Sequence, residues 1–171
     1  GLIRAGLAVD AYTDFDLDEA GNVYVAWTAG NHQPRIRVFR SDGSPSTEEL
    51  PIGLPTSSGI HIAANRTAGG GVVTAQGHYY DPIYFRRFDA SGLWLDESPQ
   101  IVAGTNDGVT GSYYDSHQVV MTNSGGFVIV WVDNDEVHTV NAGSRWLAVV
   151  YDRAGVMQGS HLLSTSAGKQ I

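Results

Sequence analysis

The residues best equipped for chemistry lie in two turn-rich stretches. His78-Tyr79-Tyr80-Asp81 and Tyr113-Tyr114-Asp115 each set aromatic rings beside a carboxylate, and His117 follows the second. Rings of this kind stack on the apolar face of a sugar, while Asp accepts hydrogen bonds from its hydroxyls. These residues form the candidate ligand-binding set, with a glycan as the expected ligand. The competing reading has the tyrosines packed between loops and the acids solvated.

Other groupings support less. His61 and His117 fall near the start of similar segments, and Asp115-Ser116-His117 has a spacing seen in transition-metal sites. No third and fourth ligand is defined, so these histidines read as bonding the backbone at strand ends. Asp133, Asp135 and Glu136 crowd one loop and are the candidates for a loosely held calcium ion. No other cofactor is expected. Asp14, Asp16 and Asp18 alternate, but Gly21 is misplaced for a calcium loop and Val25 stands at its twelfth position. The alternation fits a strand with Phe15 and Leu17 facing the core. Asn65-Arg66-Thr67 is an N-glycosylation acceptor pattern.

Enzyme signatures are missing. There is no His-Glu-x-x-His, no Gly-x-Ser-x-Gly and no phosphate-cradling glycine loop before a helix. If the chain were a glycan-active hydrolase, Asp14, Asp16 and Asp115 would be the carboxylates to test.

The bulk of the chain narrows the partners. Its 171 residues are 42% hydrophobic and 16% charged, which suits one folded domain rather than a disordered tail. Net charge is −8, and the ten Lys and Arg form no stripe, so neither nucleic acid nor an anionic membrane surface is an expected partner. There is no Cys and no apolar run long enough to span a membrane, so membrane insertion is not expected. Gly1 at the start suggests a mature product or a piece of a longer protein.

The elements that must position these groups repeat. A Gly turn leading into an apolar strand occurs at Gly21–Trp27, Gly70–Gln76 and Gly125–Trp131. A second strand follows each, ending in Phe39, Phe88 or Tyr151 and then an Asp/Gly turn. The spacing of about 50 residues suits a four-stranded propeller blade. The longer third interval is assigned to loop expansions around Asn106–Asp115 and Asp133–Ser144. Trp27 and Trp131 hold equivalent places and read as core between blades, and short Gly/Asp/Asn turns between Val, Ile and aromatic runs argue strands throughout.

The expected fold is therefore all-β: three four-stranded antiparallel propeller-blade-like repeats plus an extra N-terminal strand. The chain is one repeat domain, 1–171, divided into an orphan strand (1–12) and repeats at 13–56, 57–112 and 113–171. A β-trefoil is the alternative, though the orphan strand would be surplus to it. An unpaired strand is either covered or used for assembly, so self-association through Gly1–Tyr12 is a further expectation.

The Gly-Gly-Phe-Val-x-x-Trp segment of Gly125–Trp131, followed by Tyr151-Asp152-Arg153-Ala154-Gly155, resembles β-propeller-like repeats of large exported bacterial surface proteins. The second unit departs from it, with Gln76 where the Trp should be. The resemblance implies an extracellular or cell-surface module for adhesion, without catalysis, binding a glycan or a surface protein. The alternatives are a structural subunit assembling into a fibre or sheath by strand exchange, and a glycan-active hydrolase.

Overall fold

A computed structural model describes residues 12–29, 32–54, 59–77, 81–105, 112–135 and 144–165, with side chains of 112–115 and 134–135 excepted. The described residues form twelve strands and no helix. Blade 1 comprises β1 (Thr13–Leu17), β2 (Val23–Thr28), β3 (Pro34–Phe39) and β4 (Leu50–Pro51). Blade 2 comprises β5 (Gly59–Ala64), β6 (Gly71–Gln76), β7 (Ile83–Phe88) and β8 (Gln100–Ile101). Blade 3 comprises β9 (Ser112–Met121), β10 (Phe127–Asp135), β11 (Ser144–Tyr151) and β12 (Met157–Thr165).

Each blade is an antiparallel meander in chain order, and the first strands lie side by side, β1 by β5 and β5 by β9. This is the expected propeller-like all-β fold, and it excludes the trefoil. The orphan strand at 1–11 lies outside the described residues. Tyr12 continues the ladder of β1: its N–H donates to Thr28 Oγ1 (3.0 Å) and its carbonyl accepts the Thr28 N–H (2.9 Å).

Turn chemistry separates the two ends of the blades. The turns from first to second strand and from third to fourth carry glycines at positive φ, among them Gly21, Gly125, Gly43, Gly92 and Gly155. At Gly70 (φ +73°) the need is steric as well, since a Cβ would lie 2.5 Å from the Phe88 carbonyl oxygen. The opposite end holds the connections from second to third strand and from each blade to the next, including the two loop expansions of blade 3.

Residue alternation along each strand builds two cores. Blade 1 turns Tyr24, Ala26, Ile36 and Val38 toward blade 2, which answers with Ile60, Ile62, Val73, Ala75 and Phe88. From its other face blade 2 sends Ala63, Val72, Ile83 and Phe85 toward Phe127, Ile129, Trp131, Val149 and Tyr151 of blade 3. Strand β6 is consequently buried at every residue. Two consecutive arginines follow the same alternation. Arg86 crosses the Trp94 ring (4.4 Å) and donates to the Ile52 carbonyl of blade 1 (2.9 Å). Arg87 pairs with Asp96 and donates to the Arg153 carbonyl of blade 3 (2.7 Å).

The pairing registers revise the repeat alignment. Asp18, Asn65 and Thr122 each donate the N–H that opens the first turn, accepted by Asn22, Gly70 and Gly126 respectively. The second turn is thus one residue longer, so Tyr24 corresponds to Val72, and Trp27 and Trp131 correspond to Ala75. Gln76 stands one rung beyond the Trp position. Strand β8 covers only Gln100–Ile101, and before it the carbonyls of Asp96 and Glu97 accept from Arg86. The expansion expected over Asp133–Ser144 starts later, since β10 runs through Asp135 and pairs Asn134 with Ser144.

The alternating aspartates are reversed from expectation. Phe15 and Leu17 are 63% and 43% exposed, while Asp14 and Asp16 face blade 2. Asp16 Oδ2 accepts the Ala64 N–H (2.9 Å) and Oδ1 the Leu17 N–H (2.8 Å). Asp14 does the same for Ile62 (3.1 Å) and Phe15 (2.9 Å). Two adjacent edge strands have unpaired N–H groups but no ladder between them, and a carboxylate is an acceptor that satisfies both. Asp18 ends the row at the turn. Burial opposes its ionisation, but bonds from Asn22 and Tyr24 outweigh it and hold its pKa below the usual range.

Removing one such stitch should cost about 2 kcal/mol, the worth of hydrogen bonds to a charged acceptor. Asp16→Ala is expected to lower the urea midpoint accordingly. A midpoint unchanged within error would show that solvent replaces the carboxylate without loss.

Candidate functional site

At the end bearing the longer connections, buried polar groups gather between blades 2 and 3. Ser116 is an extra residue in β9, with φ +46°, at a bulge opposite Trp131 and Val132. Past the bulge, ordinary alternation puts His117 on the face of Val119 and Met121, against blade 2. There its ring meets His61 edge-on, with centroids 4.7 Å apart, and hydrogen-bonds the Thr74 backbone. His61 Nδ1 lies 3.3 Å from Asp14 Oδ2, so one chain of contacts, Asp14–His61–His117, joins all three blades.

The two histidines are not at equivalent rungs. His61 pairs with Thr74, as Asp14 pairs with Ala26, whereas His117 pairs with Trp131. They meet because one points forward from blade 2 and the other points back from blade 3. Burial pushes His117 down to about 3, with the neighbouring His61 adding to the shift against the Thr74 bond. Burial also lowers His61, opposed by Asp14. Both rings are therefore neutral at pH 7.

Further along this face, Asp133 is buried and pairs with Arg145. Among the described residues four buried side-chain atoms have no hydrogen-bond partner, and three sit here: His117 Nε2, Trp131 Nε1 and Asp133 Oδ1. Because His117 uses its other nitrogen as donor, Nε2 is an acceptor. The face thus presents acceptor, donor and acceptor in a row: His117 and Trp131 are cross-strand partners, and Asp133 is the next same-face residue of β10.

The expected site residues divide as follows. His117 stands in the cluster. Asp81 is exposed at the same end, where its carbonyl accepts from Gln76 Nε2 (3.3 Å). Tyr113, Tyr114 and Asp115 contribute backbone to β9, their side chains lying outside the described residues, as do His78, Tyr79 and Tyr80 entirely. Of the calcium candidates, Asp133 belongs to a strand and faces a guanidinium instead of an open loop. Asp135 contributes backbone only, and Glu136 lies outside the described residues. No group of three or more His, Cys, Asp or Glu side chains among the described residues is placed to hold a metal ion, the Asp14–His61–His117 chain included. Asn65 turns its Oδ1 inward to accept from Thr67 and Ala68 of its own turn. Sequence reasoning missed Arg145 and the Asp14–His61 contact, which join residues distant along the chain.

A cleft of about 440 Å³ opens at the opposite end, between the turns of blades 2 and 3, lined by Asn65, Arg87, Asp89, Phe127 and Arg153 among others. Between blades 1 and 2 the same level is occupied by Tyr24, whose hydroxyl donates to Asp18 (2.9 Å) and accepts from Gly70 (3.0 Å). Val72, at the corresponding rung, is too short to reach. Arg87 and Asp89 are already engaged by Asp96 and Ser91, so the unmet polar groups keep the longer-loop end as the candidate site.

His117 gives a pH test. Its folded pKa lies below the unfolded value of about 6.5, so its contribution to stability is full above that pH and is lost as pH falls from there toward about 3. Between pH 7 and 4.5 the native protein should lose about 2 kcal/mol through this residue. His117→Gln should remove most of that dependence in urea titrations. An identical pH slope in the variant would mean the ring is solvated.

No family model and no curated protein matches this chain by sequence. In structure the chain is similar to "Bacteroides ovatus Xyloglucan PUL GH43B", with TM-score 0.52 and 13% identity, over 93% of this chain and 36% of that one. The chain thus spans little more than a third of that protein, and what the two share is the propeller-like fold.

Proposed function

We propose that this chain is a non-catalytic, surface-exposed module outside the cell that binds glycan at the longer-loop end of blades 2 and 3. The observation that carries the reading is the row of unpartnered groups, His117 Nε2, Trp131 Nε1 and Asp133 Oδ1. A sugar hydroxyl both donates and accepts, so neighbouring hydroxyls complement an acceptor–donor–acceptor row. Each buried group left unpaired costs about 1–3 kcal/mol, which a ligand meeting it would recover. His61 and Arg145, both partly exposed, stand at the rim. The structural likeness to a protein named for xyloglucan adds support for a polysaccharide ligand. A non-catalytic role is supported by Asp14 and Asp16, whose oxygens accept backbone N–H groups on both sides.

Xyloglucan oligosaccharides titrated in a calorimeter are expected to bind saturably, with no reducing ends released on long incubation. Arg145→Ala and His61→Ala should each weaken binding about tenfold, the worth of one good polar contact. Absence of heat and of any Trp fluorescence change up to millimolar sugar would sink the glycan reading. Release of reducing ends would replace it with the hydrolase.

A further inference from the structure

Among the described residues, blades 1 and 3 each carry exposed apolar side chains on the sheet face turned away from blade 2, and the two faces are the halves of an interface this chain already builds twice. On blade 1 the free face carries Phe15 opposite Val25 and Leu17 opposite Val23, as direct cross-strand pairs. The corresponding rungs are Ile62, Ala64 and Val73 in blade 2 and Val119, Met121 and Ile129 in blade 3. In both of those blades they pack against the preceding blade. On blade 3 the free face carries Val120, Val128 and Val150 side by side across three strands, with Val130 next along and Trp146 beyond. The rungs of Val128 and Val130 are those of Tyr24 and Ala26 in blade 1 and Val72 and Thr74 in blade 2, and there they pack against the following blade.

Exposure agrees with this register. Phe15 is 63%, Val120 57% and Trp146 46% exposed, whereas Ile62 and Ala63, at the rungs of Phe15 and Val120 in blade 2, are buried; on the outward face of blade 1, Trp27 and Phe39 are already buried within the chain. Apart from the Trp146 indole N–H, these aliphatic and aromatic side chains offer no hydrogen bonds to a sugar. They suit another β-sheet of the same alternation. One face is of the type that receives a preceding blade and the other of the type that presents to a following one. The contact they specify is therefore head-to-tail, between different surfaces.

We propose that the occupant of each free face is a second copy of this chain, blade 3 of one copy packing on blade 1 of the other. The smallest closed arrangement has two copies, with both contacts made twice-related by the same axis, and it leaves no sheet face of either blade exposed. This route to self-association is distinct from exchange of the segment Gly1–Tyr12.

Light scattering of the full chain tests it. The expected mass is twice the 18.3 kDa of one chain. Phe15→Glu and Val120→Glu should each give a folded monomer, because the two faces are partners in one contact and both side chains already face solvent in the single chain. Leu93→Glu, at an equally exposed residue in a turn (66%), should leave the dimer intact. Cooperative thermal melting of each variant confirms folding. A monomeric native chain at hundreds of micromolar overturns the proposal, as does a dimer that survives Phe15→Glu, a response to only one of the two face variants, or dissociation by Leu93→Glu as well.

Discussion

A sheet stacked between two others must be apolar on both faces, and the architecture of this chain follows from blade 2 meeting that condition. Its second strand alternates without a break in burial: Val73 and Ala75 serve one core, and Val72 and Thr74 the other. At the level of the arginines the same alternation sends Arg86 to blade 1 and Arg87 to blade 3. Small residues let the neighbouring sheets close in, Ala64 and Ala75 on the side of blade 1 and Ala63 on the side of blade 3, where Phe127 stacks on Tyr151 at 4.9 Å. Each outer blade meets the apolar condition on its inward face, and the same alternation leaves apolar side chains on its outward one.

Stacking sheets face to face leaves a second difficulty at their innermost strands. Three edge strands lie together without hydrogen-bonding one another, each with N–H groups directed away from its own sheet. The aspartates of β1 meet this need between blades 1 and 2. Between blades 2 and 3 the innermost residues are His61 and His117, which pack edge to face. The first junction is thus closed by charge-assisted hydrogen bonds and the second by ring contact, and among the described residues the second leaves polar atoms without partners and the first does not.

That difference explains why the candidate site lies where it does. Carboxylates saturated by backbone donors are committed to holding strands together. A neutral imidazole, an indole N–H and a carboxylate oxygen that are buried and unpaired carry a cost in the free protein. The tight-turn end shows the reverse arrangement, in which Tyr24 completes its bonds to Asp18 and Gly70, and the shorter Val72 leaves space in place of unmet polar groups.

Alternation of apolar residues and the spacing of glycine turns were sufficient to specify strands, their grouping in fours and three stacked units, because these depend on periodicity along the chain. Positive-φ glycines at Gly21, Gly125 and Gly155 marked the turns correctly for the same local reason. Periodicity does not say which face of an end blade is covered, so Phe15 and Leu17 were placed in the core when the aspartates between them point to blade 2. One additional residue in the turn from Asn65 to Gly70 shifted the repeat alignment by a rung, since a change in turn length leaves the pattern of strand residues intact. The bulge at Ser116, the meeting of His61 with His117 and the pairing of Asp133 with Arg145 were decided by tertiary structure alone. Each depends on how one sheet is set against the next or on where a ladder slips, and no sequence spacing encodes either.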